Sequence, residues 1–202
     1  MRAVVGLGNP GSRYAATRHN LGVCVVGELA RRWRLTLGPV IEGNRIAHGC
    51  MDTEAILLVE PQMYMNRSGE ALARLQPPVD AGQLIAVHDD LDLECGRVRV
   101  KRGGGAGGHR GIESIAESYG PDFPRVRIGI GRPPLGGDVA EYVLSAFTEA
   151  ERQPIEGAIA RAADAVECIL RHGVEIAMNR FNAFNARNDS APPMTAEVLG
   201  RN

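Results

Sequence analysis

Ala55-Ile56-Leu57-Leu58-Val59-Glu60 is the stretch that decides the fold. Its four central residues are all apolar, so both faces of a strand formed here would avoid water. A strand of this kind belongs in the middle of a sheet that is covered on both sides. Since helical patterns alternate with short β-branched runs along the rest of the chain, we predict an α/β domain.

The other elements follow from periodicity. Besides residues 55–60, runs typical of strands occupy residues 3–7, 45–50, 84–89, 97–101 and 126–130. Apolar residues at helical spacing predict helices over residues 20–33, 68–75, 111–119 and 149–171, with a short one through residues 178–181. The helix from Glu149 follows the capping-box pattern Thr148 to Glu151, and Gly173 is its predicted C-cap.

Size and composition limit the possible classes of protein. The chain has 202 residues, of which 44% are hydrophobic and 23% charged, which suits one domain of ordinary size. We place this domain at residues 1–186 and expect the polar segment 187–202 to be a flexible tail. No apolar run approaches the roughly 20 residues of a membrane-spanning helix, and the N-terminal run is too short for a signal peptide. These features predict a cytoplasmic protein with no membrane partner.

The four cysteines are widely spaced and form no Cys-x-x-Cys pair: Cys24, Cys50, Cys95 and Cys168. Such spacing gives no support for a tetrahedral metal site. We expect four reduced thiols, as is usual in the cytoplasm, and no bound metal.

Positive charge is concentrated in one block although the net charge is only −1. Residues 96–112 contain five lysines and arginines and no acidic residue. Within Arg97-Val98-Arg99-Val100-Lys101 the basic residues share one strand face and the valines the other. Lys101 is the only lysine in the chain. A basic block of this kind can bind nucleic-acid phosphates even when the total charge is near zero.

The segment Val5-Gly6-Leu7-Gly8-Asn9-Pro10-Gly11 has the spacing Gly-x-Gly-x-x-Gly after a strand. A dinucleotide site is one interpretation, but it needs a helix opening at the third glycine and an acidic residue about 20 residues later. Neither is predicted here. The alternative is a tight strand-to-loop turn that needs small residues and exposes the amide of Asn9 where α/β sheets bind ligands.

Two segments combine a histidine with other polar residues that could take part in acid–base chemistry. Thr17-Arg18-His19-Asn20 precedes the first helix, so His19 is a possible general base and Asn20 a possible helix cap. Val87-His88-Asp89-Asp90-Leu91-Asp92-Leu93 ends a strand, where carboxylates bind a cation, orient a histidine, or are simply solvated.

Two further segments suit substrate contacts. Tyr64-Met65-Asn66-Arg67-Ser68-Gly69 offers an aromatic ring and an amide, although Asn66 or Ser68 is equally suited to capping a helix. Gly103-Gly104-Gly105-Ala106-Gly107-Gly108-His109-Arg110-Gly111 lacks the Gly-Lys-Ser/Thr ending of a nucleoside-triphosphate loop. Its backbone amides beside a helix still suit a phosphate, unless the loop is only a mobile linker.

Taken in order, these segments resemble the bacterial peptidyl-tRNA hydrolase family. The match also includes Tyr14, Lys101 and Arg127-Ile128-Gly129-Ile130-Gly131, and it extends from about Arg2 to about Phe184. The resemblance implies a single α/β domain with a mixed, twisted sheet flanked by helices. It also implies a cytoplasmic, monomeric enzyme without cofactor or metal, which hydrolyses the ester between peptide and tRNA in translation and ribosome rescue.

The resemblance also assigns roles to residues. His19 would be the base that activates water, Asp89 would keep its imidazole basic, and Asn9 would help to select substrates with a blocked α-amino group. The remaining family positions would contact the peptide or the tRNA: Tyr14, Tyr64, Asn66, Arg99, Lys101, His109, Arg110 and Arg127. Arg110 is a departure, because many members have asparagine there, and an arginine has no acceptor atom.

Three other functions compete with this one. A non-catalytic RNA-binding protein would use the same basic loop, but would leave His19, Asp89 and Asn9 without a role. A nicotinamide-dependent oxidoreductase rests on the first glycine motif alone. An esterase of the same fold with another substrate is suggested by Arg110.

Overall fold

We analysed a computed structural model of the protein, which describes residues 1–183. The predicted tail, residues 187–202, lies outside the described residues. Six strands form one mixed sheet in the order β2-β3-β1-β4-β6-β5. The strands are β1 (Arg2–Gly6), β2 (Asn44–Met51), β3 (Glu54–Pro61), β4 (Leu84–Asp90), β5 (Val98–Arg102) and β6 (Pro124–Gly129).

The four inner strands β3, β1, β4 and β6 are parallel, and the edge strands β2 and β5 are antiparallel to their neighbours. The helices are α1 (Leu21–Trp33), α2 (Ser68–Leu72), α3 (Arg110–Tyr119), α4 (Val139–Val143), α5 (Glu149–His172) and α6 (Val174–Asn182). The predicted α/β class with a mixed sheet flanked by helices is confirmed.

Helices cover both faces of the sheet because the inner strands are apolar on both faces. On one face Val4, Leu58 and Ile85 belong to a core shared with α1, α5 and α6. On the other, Val5 and Leu57 belong to a second core with α2 and α3. The prediction that residues 55–60 form an inner strand is therefore confirmed, since β3 lies between β2 and β1.

Helix α1 lies unusually close to the sheet. A Cβ atom on Gly22 would lie 2.3 Å from both the Leu7 backbone nitrogen and the Val87 carbonyl oxygen, so a larger residue would push the helix away. This contact holds the start of α1 against the carboxyl ends of β1 and β4. Close packing also explains Gly6 and Gly8 of the first glycine motif, where an added Cβ would lie 2.4 Å from the Gly22 carbonyl oxygen and 2.6 Å from the Val23 side chain. Gly11 has no neighbour within 4 Å but a positive φ of 97°, and α1 begins only at Leu21, ten residues later.

Most predicted elements are present, with differences at their ends and one omission. The helix predicted over residues 68–75 ends at Leu72, and the segment predicted at 178–181 is part of the longer α6. The capping box at Thr148 and the C-cap at Gly173 are confirmed. Helix α4 was not predicted, because its five residues include none that is buried and therefore give no apolar periodicity.

Candidate active site

A cavity of about 500 Å³ opens at the carboxyl ends of the parallel strands. The connection from β1 to β2 runs toward one edge of the sheet, and the connection from β3 to β4 runs toward the other edge. Ligand sites in open α/β sheets lie at such a switch point. Loops after β1, β3 and β4, the glycine-rich loop and α4 all contribute to its lining. The polar lining residues are Asn9, Tyr14, His19, Tyr64, Asn66, Asp89, Asp90, His109 and Arg110.

The structure brings His19 and Asp89 together although 70 positions separate them in sequence. His19 lies in the 3-10 turn Arg18–Asn20 just before α1, and Asp89 is the penultimate residue of β4. Nδ1 of His19 is 2.9 Å from Oδ1 and 3.0 Å from Oδ2 of Asp89, and both residues are buried. The imidazole is therefore held by a carboxylate that water scarcely reaches.

A second imidazole, that of His109, binds the same carboxylate. Its Nδ1 accepts hydrogen bonds from the backbone N–H groups of Gly111 and Ile112 at 3.2 and 3.3 Å, which caps α3. An Nδ1 that accepts must lack a proton, so in the neutral ring Nε2 carries it and donates to Oδ1 of Asp89 at 3.1 Å. Both nitrogens of His109 are thus engaged, and its ring only borders the cavity.

These contacts fix the protonation of the Asp89 carboxyl. Burial alone would raise its pKa, but the positive potential and hydrogen bonds of His109 and His19 lower the pKa well below its usual range. An ionised carboxylate offers only acceptors, so Nδ1 of His19 must donate to it. In the neutral His19 ring the unprotonated nitrogen is then Nε2, the one turned away from Asp89.

His88 lies behind this pair and was not among the predicted site residues. Its Nδ1 donates to the Asp89 backbone oxygen at 2.6 Å, and its ring meets that of His109 edge-on at 4.7 Å. Within residues 1–183, its buried Nε2 has no hydrogen-bond partner. Burial lowers the pKa of His88 well below 6.5, and the unfavourable electrostatic interaction of its protonated form with His109 lowers the pKa further, so the His88 ring is neutral.

Asn9 is fixed in one orientation by its neighbours. Asn20 holds its backbone through two hydrogen bonds, Asn9 N to Asn20 Oδ1 at 2.9 Å and Asn20 Nδ2 to Asn9 O at 3.0 Å. The Asn9 side-chain oxygen accepts from the Met65 backbone N–H at 2.9 Å. Since its oxygen is engaged, Asn9 presents its NH₂ group as a donor to the cavity.

The role of Asn20 was missed in the sequence, where it suited a helix cap. Its side chain makes no capping hydrogen bond to α1. Instead it fills the space beside Gly8, where an added Cβ would lie 3.0 Å from the Asn20 amide carbon. Likewise, Asn66 and Ser68 do not cap α2, because the hydroxyl of Ser68 donates to the Met65 carbonyl oxygen at 2.8 Å.

Comparison with known proteins gives one consistent result. The sequence profile of the family described as "Peptidyl-tRNA hydrolase" matches residues 3–190. The peptidyl-tRNA hydrolase of Rubrobacter xylanophilus is 51% identical over 183 residues, covering 89% of this chain and 99% of the relative. That of Syntrophomonas wolfei is 44% identical over 185 residues, covering 90% and 100%. The chain belongs to the peptidyl-tRNA hydrolase family.

A solved structure agrees with this assignment. The crystal structure of peptidyl-tRNA hydrolase from Acinetobacter baumannii superimposes with a TM-score of 0.84 at 37% identity, covering 91% of this chain and 95% of the other. The protein is thus a hydrolase with the fold of that family. A nicotinamide-dependent oxidoreductase has no remaining basis, because α1 begins only at Leu21 and the third glycine, Gly11, does not open a helix as a dinucleotide site requires.

Three of the residues predicted to contact RNA lie outside the cavity. Arg99 of β5 is paired in register with Arg127 of β6, and both are partly exposed on the sheet. Arg127 Nε donates to Oδ2 of Asp90 at 2.6 Å. Lys101 donates to the Gly105 carbonyl oxygen at 3.1 Å, while burial and then nearby Arg125 and Arg127 lower its pKa. They form a basic surface beside the glycine-rich loop.

Arg125 holds the glycine-rich loop in place and was not predicted. It is only 1% exposed, and its guanidinium donates to the carbonyl oxygens of Gly104, Gly105 and Pro121 at 2.9 to 3.0 Å. The available signal was its alternation with Arg127 along β6, which places both on one strand face. This anchoring argues against the interpretation of the loop as a mobile linker.

Metal-binding potential is confined to the same group of side chains. Within residues 1–183, His19, Asp89 and His109 are the one set of three whose ligand atoms lie within 4.8 Å of one another. The imidazole nitrogens of His19 and His109 already face the Asp89 carboxylate at hydrogen-bond distance.

Within residues 1–183, no helix has the length and apolar character needed to cross a membrane.

Proposed function

We propose that the protein hydrolyses the ester bond between a peptide and the 3′ end of tRNA, with His19 as general base. The observation that carries this proposal is the pairing of His19 Nδ1 with Asp89 at 2.9 Å beside a cavity of substrate size. This pairing leaves Nε2 of His19 able to take a proton. A positioned base of this kind contributes about 10²- to 10⁴-fold to a rate.

In the proposed reaction, His19 Nε2 takes a proton from water while the water oxygen bonds to the ester carbonyl carbon. Asp89 stabilises the imidazolium that forms, as the acid of a serine-hydrolase triad does. The tetrahedral intermediate collapses by breaking the bond to the ribose oxygen, which receives the proton from His19. The products are a peptide carboxylate and free tRNA, and no acyl-enzyme is needed.

Stabilisation of the oxyanion is assigned to amide donors. Asn9 supports this role because its side-chain oxygen is occupied by Met65 and its NH₂ group is the available end. Asn66 lines the same cavity and would be the second donor. One such donor is typically worth about 3 to 4 kcal/mol in the transition state. The NH₂ group of Asn9 would also sense whether the α-amino group of the substrate is blocked.

The two ends of the substrate would meet different surfaces. Tyr14 and Tyr64, whose rings stand edge-to-face at 6.5 Å, would contact the tRNA terminus and the first peptide unit. The basic surface of Arg99, Lys101 and Arg127 would bind phosphates without regard to base sequence. His109 would act by orienting Asp89.

Arg110, the first residue of α3, borders the cavity and is exposed. With no acceptor atom it can only donate, so we assign it to an anionic or carbonyl oxygen of the substrate. The monomeric state, the cytoplasmic location, the domain boundary at residue 186 and a role in ribosome rescue remain predictions.

The proposal is tested by release of free tRNA from N-acetylated aminoacyl-tRNA, with the unblocked aminoacyl-tRNA alongside. We expect rapid release by the wild type, sparing of the unblocked substrate, and a loss of at least about 100-fold for His19→Ala. His48→Ala is the matched control, because His48 is exposed on the edge strand β2 and does not line the cavity. Folded wild-type protein that binds tRNA without releasing it would support a non-catalytic RNA-binding function instead.

A further inference from the structure

Arg18, the residue before His19, is almost completely buried at 4% exposure. Its guanidinium makes a two-point ion pair with Glu151 of α5, with Nη2 at 2.9 and 2.7 Å from the two carboxylate oxygens. Nη1 donates to the Ser145 hydroxyl at 3.0 Å and to the Ala146 carbonyl oxygen. A buried cation with this many partners fixes the elements that supply them.

Aromatic rings and backbone contacts complete this attachment. The guanidinium carbon lies 4.5 Å from the ring centroid of Tyr142 and 4.8 Å from that of Phe147. The Arg18 backbone N–H donates to the Ser145 carbonyl oxygen at 3.0 Å, and Thr17 forms a β-bridge with Ala146. The turn that carries His19 is therefore fastened to the segment between α4 and α5.

The residues on either side of this attachment, His19 and Leu144, line the cavity, although the attached residues themselves do not. His19 follows Arg18 directly, and α4 with Leu144 forms one wall of the cavity and precedes Ser145. None of the residues of α4 is buried, so its apolar packing is incomplete. Neither Arg18 nor Glu151 lines the cavity, so a direct contact with substrate is not what Arg18 provides.

We infer that Arg18 is a positioning residue, which holds His19 and the α4 wall of the cavity in one fixed arrangement. An arginine suits this place because Nη2 binds the Glu151 carboxylate while Nη1 reaches Ser145 and Ala146, and a lysine has only one nitrogen to serve both sets of partners. The catalytic consequence rests on the proposed function. The mechanical consequence, that α4 depends on Arg18 for its position, is independent of the proposed function.

The kinetic test compares Arg18→Lys with Arg32→Lys, using the blocked substrate described above. Arg32 is the matched control, because it also joins a residue of α5, donating to Asp164 at 2.7 Å, but lies away from the cavity. A displacement of the base of about 1 Å can cost about 100-fold in rate. We expect Arg18→Lys to lower kcat by about 10- to 100-fold with little change in KM, and Arg32→Lys to leave kcat unchanged.

A double mutant distinguishes the positioning of His19 from a purely structural role of Arg18. If Arg18 acts mainly through His19, adding Arg18→Lys to His19→Ala should lower the residual activity by much less than the 10- to 100-fold that it costs the wild type. If Arg18→Lys fails to fold, Glu151→Gln replaces it, because glutamine preserves the capping box at Thr148 while removing the charge. We expect this variant to lose about 3- to 10-fold in kcat.

Amide hydrogen exchange of residues 139–144 tests the mechanical consequence without any assay of activity. Exchange in this segment should become at least about tenfold faster in Arg18→Lys, or in Glu151→Gln, and stay at the wild-type rate in Arg32→Lys. Unchanged exchange in the Arg18 or Glu151 variant would overturn the inference, as would an equal loss of kcat in Arg32→Lys. An inactive wild type with the predicted exchange pattern would instead refute the proposed function and leave the positioning role supported.

Discussion

Replacing Asp89 by asparagine perturbs the site at the atom on which two imidazoles converge. Oδ1 of Asp89 is 2.9 Å from His19 Nδ1 and 3.1 Å from His109 Nε2, and the ionised carboxylate accepts from both rings. Asparagine has nearly the same shape, but it offers one oxygen and one NH₂ group. One of the two imidazole N–H groups would then face another donor.

The structure determines which histidine adapts. His109 cannot change tautomer without losing the two hydrogen bonds that its Nδ1 accepts from backbone N–H groups at the start of α3. His109 therefore keeps the asparagine oxygen at the Oδ1 position. The NH₂ group then takes the Oδ2 position, 3.0 Å from His19 Nδ1, where a donor favours an unprotonated Nδ1. The proton of His19 then lies on Nε2, which can no longer accept one from water. By analogy with triads whose acid is replaced by its amide, we expect kcat to fall about 10³- to 10⁴-fold, or about 4 to 5.5 kcal/mol.

Single-turnover release of tRNA from N-acetylated aminoacyl-tRNA measures this loss directly, with urea unfolding to confirm that the variant is folded. Asp122→Asn is the matched control, because Asp122 forms only an exposed ion pair with Arg102. If Asp89→Asn kept more than about a tenth of the wild-type kcat, the tautomer of His19 would not depend on Asp89, and the reasoning would be refuted.

Two further predictions concern substrate binding and stability. Lys101→Ala should raise KM and leave kcat unchanged. It should also reduce the slope of log KM against the logarithm of the salt concentration by about 0.7 to 0.9, since one phosphate contact is lost. An unchanged slope would exclude phosphate binding by Lys101. The lowered pKa of His88 means that the unfolded chain binds a proton below about pH 6.5 which the folded protein does not. The free energy of unfolding should therefore fall as pH falls through this range. In urea unfolding measured from pH 7.5 to 5, His88→Asn should reduce the slope of this free energy against pH by up to about 1.4 kcal/mol per pH unit. Equal slopes for the wild type and the variant would contradict the buried neutral ring.

Much of the fold could be predicted because its signals are local. The apolar run at Ile56 to Val59 lies within an inner strand, and the alternation of Val98 and Val100 with basic residues matches the buried and open faces of β5. Helix α4 gave no such signal, because it is short and leaves Val139 exposed.

The candidate site could be predicted only in part, because its decisive contacts join distant parts of the chain. His19 and Asp89 were chosen through the family resemblance, but no local pattern shows that they touch. The roles of Asn20 and Arg125 depend on backbone atoms brought close by folding, so sequence offered only a cap and an alternating strand. His109 was expected to contact substrate, whereas the helix that it caps directs its Nε2 to Asp89.

The tautomer of His19 is the most direct test of the account, because the proposed chemistry requires an unprotonated Nε2. Nitrogen-15 NMR of histidine-labelled wild-type protein at pH 8 reads the protonation of each ring nitrogen, and His19→Ala identifies the signals. The account predicts a proton on Nδ1, bound to Asp89, and none on Nε2. A proton found on Nε2 would contradict the assignment of His19 as the base.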